Sequence, residues 1–210
     1  ILEEIVQERL SKTTALAEQL SKRRYAAAKD VEASITTMLT QLDIPNNQFE
    51  VKIEKNSQLT EKGADRVTFF FSANKNVALR AISEVASGGE IARLMLALKA
   101  ITSKKENLPT IIFDEIDTGI SGKVASSMAN LMKDMTANYK HQVIAITHLP
   151  QIASCGTTHY WVYKEDTDEH TFSHIRELTP EERVTEIAHM LSGNKVSEAA
   201  ILNAKQLLEQ

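Results

Sequence analysis

The chain has 210 residues, of which 42% are hydrophobic and 25% charged, with a formal net charge of −4. This is the composition of an ordinary folded protein with one good core, or one core plus an extended appendage. The charge argues against a strongly basic module that wraps DNA, although a local basic patch is compatible with it. A single cysteine, Cys155, excludes an internal disulfide framework and fits a reducing cytosol, and no apolar run reaches the roughly 18 residues needed to span a membrane. The opening Ile1-Leu2-Glu3-Glu4 lacks Met and lies inside a helical pattern, which reads as a piece cut from a longer protein.

Residues 1–42 hold no Gly or Pro and are rich in Ala, Leu, Glu, Lys and Gln, so a single helix is predicted there. Its apolar positions recur in patches: Leu2, Ile5, Val6 and Leu10, then Leu16 and Leu20, then Val31, Ile35, Met38 and Leu42. Lys22-Arg23-Arg24 interrupts the heptad. Composition favours an amphipathic surface helix over one strand of a coiled coil, since the clean heptads wanted for the latter are too few.

Pro45-Asn46-Asn47 ends the helix. Phe49, Val51 and Ile53 alternate with charged residues, and Val67, Phe69 and Phe71 follow a polar turn at Gly63, so two half-buried strands forming a hairpin are expected. Ser87-Gly88-Gly89-Glu90 then opens a helix whose face is Ile91, Leu94, Met95, Leu98 and Ile101. After Pro109, Thr110–Phe113 reads as a fully buried strand. A helix starts at the Ser121 cap and runs to about Asn138, and Gln142–Thr147 reads as a second buried strand. Strand, helix and strand of these lengths form a βαβ unit with parallel strands. His159–Lys164 and Thr171–Glu177 form an antiparallel pair about the acidic turn Glu165–Glu169. Thr179-Pro180-Glu181-Glu182 starts a helix ending near Gly193, and Ser197–Leu208 is the last.

Three groups of residues carry chemistry. A helix opening at Ser87-Gly88-Gly89-Glu90 presents unpaired N–H groups and its positive dipole end, with glycine allowing close approach and a hydroxyl adding a donor; a γ-phosphate needs these features. Taken alone, the motif is more often an ordinary capped helix. Asp114-Glu115 at the end of Thr-Ile-Ile-Phe is more demanding, because adjacent acids at the end of a buried strand are costly. Asp114 can hold Mg²⁺ through water and Glu115 can take a proton from an attacking water, on a loop continued by Asp117-Thr118-Gly119. His148 follows the second parallel strand, where a histidine can hydrogen-bond a phosphate. Carboxylates and histidine both fall at strand C-termini, where α/β sheets bind their ligands. Together these resemble the signature, Walker B and switch-histidine elements of an ATP-binding-cassette ATPase, yet no G-x-x-x-x-G-K-[ST] loop occurs in the 210 residues. The remaining histidines form no metal pattern.

Val85-Ala-Ser-Gly-Gly-Glu-Ile-Ala-Arg-Leu-Met-Leu-Ala-Leu-Lys99, Ile111–Gly122 and Ile146-Thr-His-Leu-Pro-Gln-Ile-Ala153 make the likeness more specific. From about Leu42 to the end the chain resembles the C-terminal part of the RecN family of SMC-like ATPases. Ala86 stands where the wider cassette pattern has Leu, and RecN-type chains share this departure. The resemblance implies an α/β fold: the C-terminal lobe of an ABC/SMC-type ATPase head with a mainly parallel sheet over 43–210, and a coiled-coil arm segment over 1–42. It lifts the coiled-coil reading of the first helix above the one composition favoured. It implies ATP and Mg²⁺, neither held tightly by this chain alone, and a homodimer of heads that sandwich ATP. Ser87, Gly88, Gly89 and Glu90 would face nucleotide held by the partner's Walker A. Asp114 would assist Mg²⁺, Glu115 position the attacking water, Asp117 lie at the dimer seam and His148 contact the γ-phosphate. Implied partners are the N-terminal Walker A half and DNA, as double-stranded ends or single-stranded overhangs, in the bacterial cytoplasm and without a membrane. Competing readings are another SMC or Rad50-like head, disfavoured by Thr147–Ala153, and a transporter subunit, disfavoured by the helical run before Leu42. An interaction domain with vestigial motifs is disfavoured by the Asp114-Glu115 pair.

Overall fold

The computed structural model describes residues 1–85, 88–106, 108–139, 141–167, 170–193 and 195–209. Ser87 and Ala86, and Asp168-Glu169 of the acidic turn, lie outside the described residues. The chain divides into two compact units, Ile1–Ile101 and Thr102–Gln210.

The first unit begins with helix α1, Leu2–Gln41, as its composition requires. Its lower half buries Ala17, Ala28, Ile35 and Leu39, whereas Leu2, Ile5, Val6, Leu10 and Leu16 are exposed. Strands β1 (Gln48–Thr60) and β2 (Gly63–Ser72) form the expected hairpin, and the short β3 (Arg80–Ala81) extends it antiparallel. The register pairs Phe49 with Phe71, Val51 with Phe69 and Ile53 with Val67, so the two alternating apolar sets share one face. The loop at Gly63 has φ +98°, a conformation open to glycine and strained for other residues.

The helix and hairpin form one unit because α1 is laced to the strands. Buried Asp65 accepts from Ser21 Oγ at 2.6 Å and from Arg24 at 3.1 Å, bonds that hold its carboxyl below the usual range, the serine bond foremost. Arg24 also reaches the Lys62 carbonyl at 2.7 Å. Higher on β1, the edge strand, Glu32 accepts from Val51 N–H at 2.7 Å and Tyr25 donates to the Ile53 carbonyl at 3.3 Å. After a single 3-10 turn at Ile82–Glu84 comes helix α2, Gly88–Glu106, longer than the apolar face Ile91–Ile101 predicted.

In the second unit β4 (Thr110–Asp114) and β5 (Gln142–Ile146) are parallel and joined through α3 (Gly122–Tyr139), the βαβ unit read from the sequence. The expectation of fully buried strands is corrected. Ile111 and Phe113 are buried, but Ile112, Ile144 and Ile146 on the other face are 59%, 42% and 52% exposed. The reason is that α3 packs on the pair from one side, and no described element of this unit covers the other. A short helix, α4 (Pro150–Cys155), follows, and then the hairpin of β6 (Tyr160–Asp166) and β7 (Thr171–Glu177). Trp161, Tyr163 and His174 stack on one of its faces, while Val162 and Ile175 on the other are 64% and 68% exposed. Helix α5 (Pro180–Ser192) starts at a full capping box between Thr179 and Glu182 and stops at Gly193, φ +71°. It packs on α6 (Glu198–Leu208) around Ile187, Ala188, Ala200 and Ala204.

Candidate active site

Parallel pairing sets the geometry. Register places Asp114 opposite Ile146, so the residues after both strands emerge side by side. The join continues past the ladder, with Glu115 N–H donating to the Ile146 carbonyl at 3.1 Å. Glu115 takes φ +48°, in the left-handed region that costs a side-chain-bearing residue about 1–2 kcal/mol. Such a conformation persists only when its surroundings impose it. Here the Ile146 bond fixes one side of the residue, and Thr118 Oγ1, which donates to the Glu115 carbonyl at 3.1 Å, fixes the other.

The loop then turns inward. Ile120 N–H closes on the Asp117 carbonyl at 3.1 Å, and Asp117 is 1% exposed. One of its carboxylate oxygens accepts from Thr147 Oγ1 and, at 3.2 Å, from the His148 N–H. The other lies 3.4 Å from His148 Nδ1. Thr147 Oγ1 in turn accepts from Leu149 N–H at 3.0 Å. Asp114, Glu115, Asp117 and His148 are therefore brought together at one end of the βαβ unit, with the His148 side chain 66% exposed. Asp117, expected at a dimer seam, directs its carboxylate to Thr147 and His148. Thr147 had no role in the sequence reading, and its only signal was its place directly before the histidine.

Asp114 and Glu115 are exposed, and their carboxylates accept no hydrogen bond from any described residue. No group of three or more metal-binding side chains occurs among the described residues. An exposed pair suits Mg²⁺ bound mostly by water and substrate phosphates, since that ion takes one or two carboxylates and not a full protein cage.

The glycine-rich turn belongs to the first unit. Gly88 and Gly89 open α2, and a Cβ built on Gly88 meets no described atom within 4 Å. Among the described residues no packing contact demands glycine at 88. Arg93, one turn in, donates to the carbonyls of Gly89 at 3.1 Å and Leu42 at 3.0 Å, tying the start of α2 to the end of α1. Sequence reading missed this link, and a cation between Ile91 and Leu94 in the first turns of an apolar helix was its only trace. Glu90 lines a groove with Ser72, Asn74, Arg80 and Val85.

No protein-family model matches the chain. It is 36% identical to the DNA repair protein RecN of Vibrio cholerae over 195 residues, 92% of this chain and 35% of that one. Against RecN of Bacillus subtilis the identity is 43% over 153 residues, 73% of this chain and 26% of that one. Against RecN of Rickettsia felis it is 40% over 193 residues, 92% and 35% of the two chains. The chain belongs to the RecN family. It spans about a third of the length of the RecN relatives that it matches along most of its own length. In fold it is similar to the Smc head domain with coiled coil and joint from Pyrococcus yayanosii, with a TM-score of 0.65 and 18% identity over 90% of this chain and 34% of that one. It is also similar to the Pyrococcus furiosus Smc head bound to the C-terminal domain of ScpA, with a TM-score of 0.59 and 19% identity over 90% and 44%. The α/β architecture with a long N-terminal helix is thus that of an SMC head.

Proposed function

We propose that this chain is the C-terminal lobe of a RecN-type ATPase head, acting in the repair and recombination of DNA double-strand breaks. Residues 1–42 are the returning end of a coiled-coil arm and 43–210 are the lobe. The observation that carries the reading is Glu115, an exposed carboxylate held in a left-handed conformation beside His148, with Asp114 one residue before it.

Walker A comes from the rest of the longer protein. The uncovered sheet face at Ile112, Ile144 and Ile146 and the exposed Val162 and Ile175 are the surfaces that the other half-lobe covers. Leu2, Ile5, Val6, Leu10 and Leu16 take the partner helix of the arm in the same way. On ATP binding two heads close, so that Ser87, Gly88, Gly89 and Glu90 meet the γ-phosphate of nucleotide held by the opposite subunit. Glu115 takes a proton from water as its oxygen bonds to the γ-phosphorus and the bond to the β-phosphate oxygen breaks. His148 holds the γ-phosphate. Mg²⁺, when bound near Asp114, supplies charge neutralisation to the phosphates. Opening and closing of the heads then holds and releases DNA ends in the bacterial cytoplasm, on the nucleoid. No described helix is long and apolar enough to cross a membrane.

The test is Glu115→Gln in the full-length protein. ATP affinity should be kept, hydrolysis should fall by roughly 10²–10⁴ as for loss of a general base, and ATP-bound dimers should accumulate in light scattering. Turnover at the parental rate would remove Glu115 from the reaction.

A further inference from the structure

We infer that Asp117 is a positioning residue for His148, acting from inside the loop without touching nucleotide; the inference rests on the reading of His148 given above. Asp117 is a carboxylate at 1% exposure with no described cation bonded to it apart from whatever charge His148 carries. Taking such a group out of water is costly. Its two hydrogen bonds, from a hydroxyl and a backbone amide, could be met by a neutral side chain at lower cost. What the carboxylate adds is its second oxygen, buried, without a hydrogen bond from any described residue, and 3.4 Å from His148 Nδ1.

The pieces form one device. The first oxygen gathers Thr147 Oγ1 and His148 N–H, and Thr147 Oγ1 gathers Leu149 N–H. The turn after β5 is thus organised by a side chain that arrives from the loop after β4. With the backbone held, the second oxygen faces the ring, directs the proton to Nδ1 and leaves Nε2 as the nitrogen presented outward. The same Asp117 loop supports Glu115 through Thr118. The general base and the histidine therefore share one frame, and Asp117 couples the second to the first.

The experiment is a double-mutant cycle in the full-length protein, with Asp117→Asn, His148→Ala and the pair, reading ATP hydrolysis, ATP KM and thermal unfolding. Asn keeps an oxygen for the Thr147 hydroxyl and the His148 N–H and removes the one that faces the ring. Asp117→Asn should lower kcat roughly 10–100-fold, the usual effect of losing an orienting partner of a functional histidine. KM for ATP and the unfolding midpoint should stay at the parental values. In the His148→Ala background the same change should leave kcat within about two-fold, because its effect runs through the missing ring. A merely structural role would lower both backgrounds alike. Thr147→Val, which removes the hydroxyl that bonds Asp117 and Leu149 N–H but leaves the oxygen facing the ring, should show a smaller loss of the same kind and serves if Asp117→Asn does not fold. Losses that multiply overturn the proposal. So does parental turnover by Asp117→Asn while His148→Ala is impaired, which leaves the reading of His148 intact. Parental turnover by His148→Ala removes that reading and the proposal with it.

Discussion

Glu115 offers a direct measure of how firmly the loop after β4 is imposed. At φ +48° a residue with a side chain loses about 1–2 kcal/mol relative to its relaxed conformations. Glycine is free of that penalty but costs about 0.5–1 kcal/mol more than alanine in unfolded-chain entropy. Because no described residue hydrogen-bonds the Glu115 carboxylate, truncating it loses no such bond, and backbone terms decide the comparison. Glu115→Gly should therefore be more stable than Glu115→Ala by about 0.5–1 kcal/mol, the reverse of the usual order within helices and strands. For a chain of this size that corresponds to roughly 1–4 °C in the unfolding midpoint. Thermal and urea unfolding of the two variants, followed by circular dichroism, measures the difference. If Glu115→Ala were as stable as Glu115→Gly, the left-handed backbone would not be imposed, and its link to catalysis would lose its support. Asp43, at φ +65°, is an internal comparison in which glycine should gain less, since aspartate visits this region more readily.

Gly88→Val in the full-length protein should leave the unfolding free energy within the roughly ±0.5 kcal/mol typical of surface changes, because a Cβ there meets nothing described, while ATP-driven dimerisation is lost. Normal dimerisation by a folded variant would show that the space before α2 is not used. The hydrogen bond from Arg176, aided by Thr179 N–H, lowers the Glu182 carboxyl from its ordinary 4.5 to about 2. A lowered folded-state value means stability that is present above pH 4.5 and is lost as pH falls from there toward 2, so melting points should drop across that window and Arg176→Gln should flatten the drop. An unchanged slope in that variant would detach the effect from the pair.

Local pattern made much of this molecule legible. Alternation announced the β1–β2 hairpin, and the structure adds the register that sets Phe49, Val51 and Ile53 opposite Phe71, Phe69 and Val67. Thr179 and Glu182 announced the start of α5, and the strand ends announced where acids and histidine would meet. Three features were not legible. The half-covered state of β4 and β5 is a tertiary outcome, with Ile112, Ile144 and Ile146 exposed, whereas an apolar run reads as buried on both faces. Helix α4 escaped notice because six residues carry no period, although Pro150 after Leu149 is a helix-start signal. The inward turn of Asp117 follows from tertiary pairing with Thr147, thirty positions further along the chain, which no local rule records.

The lacing of α1 to β1 also bears on what this chain does when it meets copies of itself. An open strand edge recruits other strands and seeds aggregates. Glu32 and Tyr25 occupy the Val51 N–H and Ile53 carbonyl at the middle of that edge, and the far side of the sheet ends in a two-residue strand. Helix α1 thus doubles as a guard rail that keeps the first unit from sticking edge to edge.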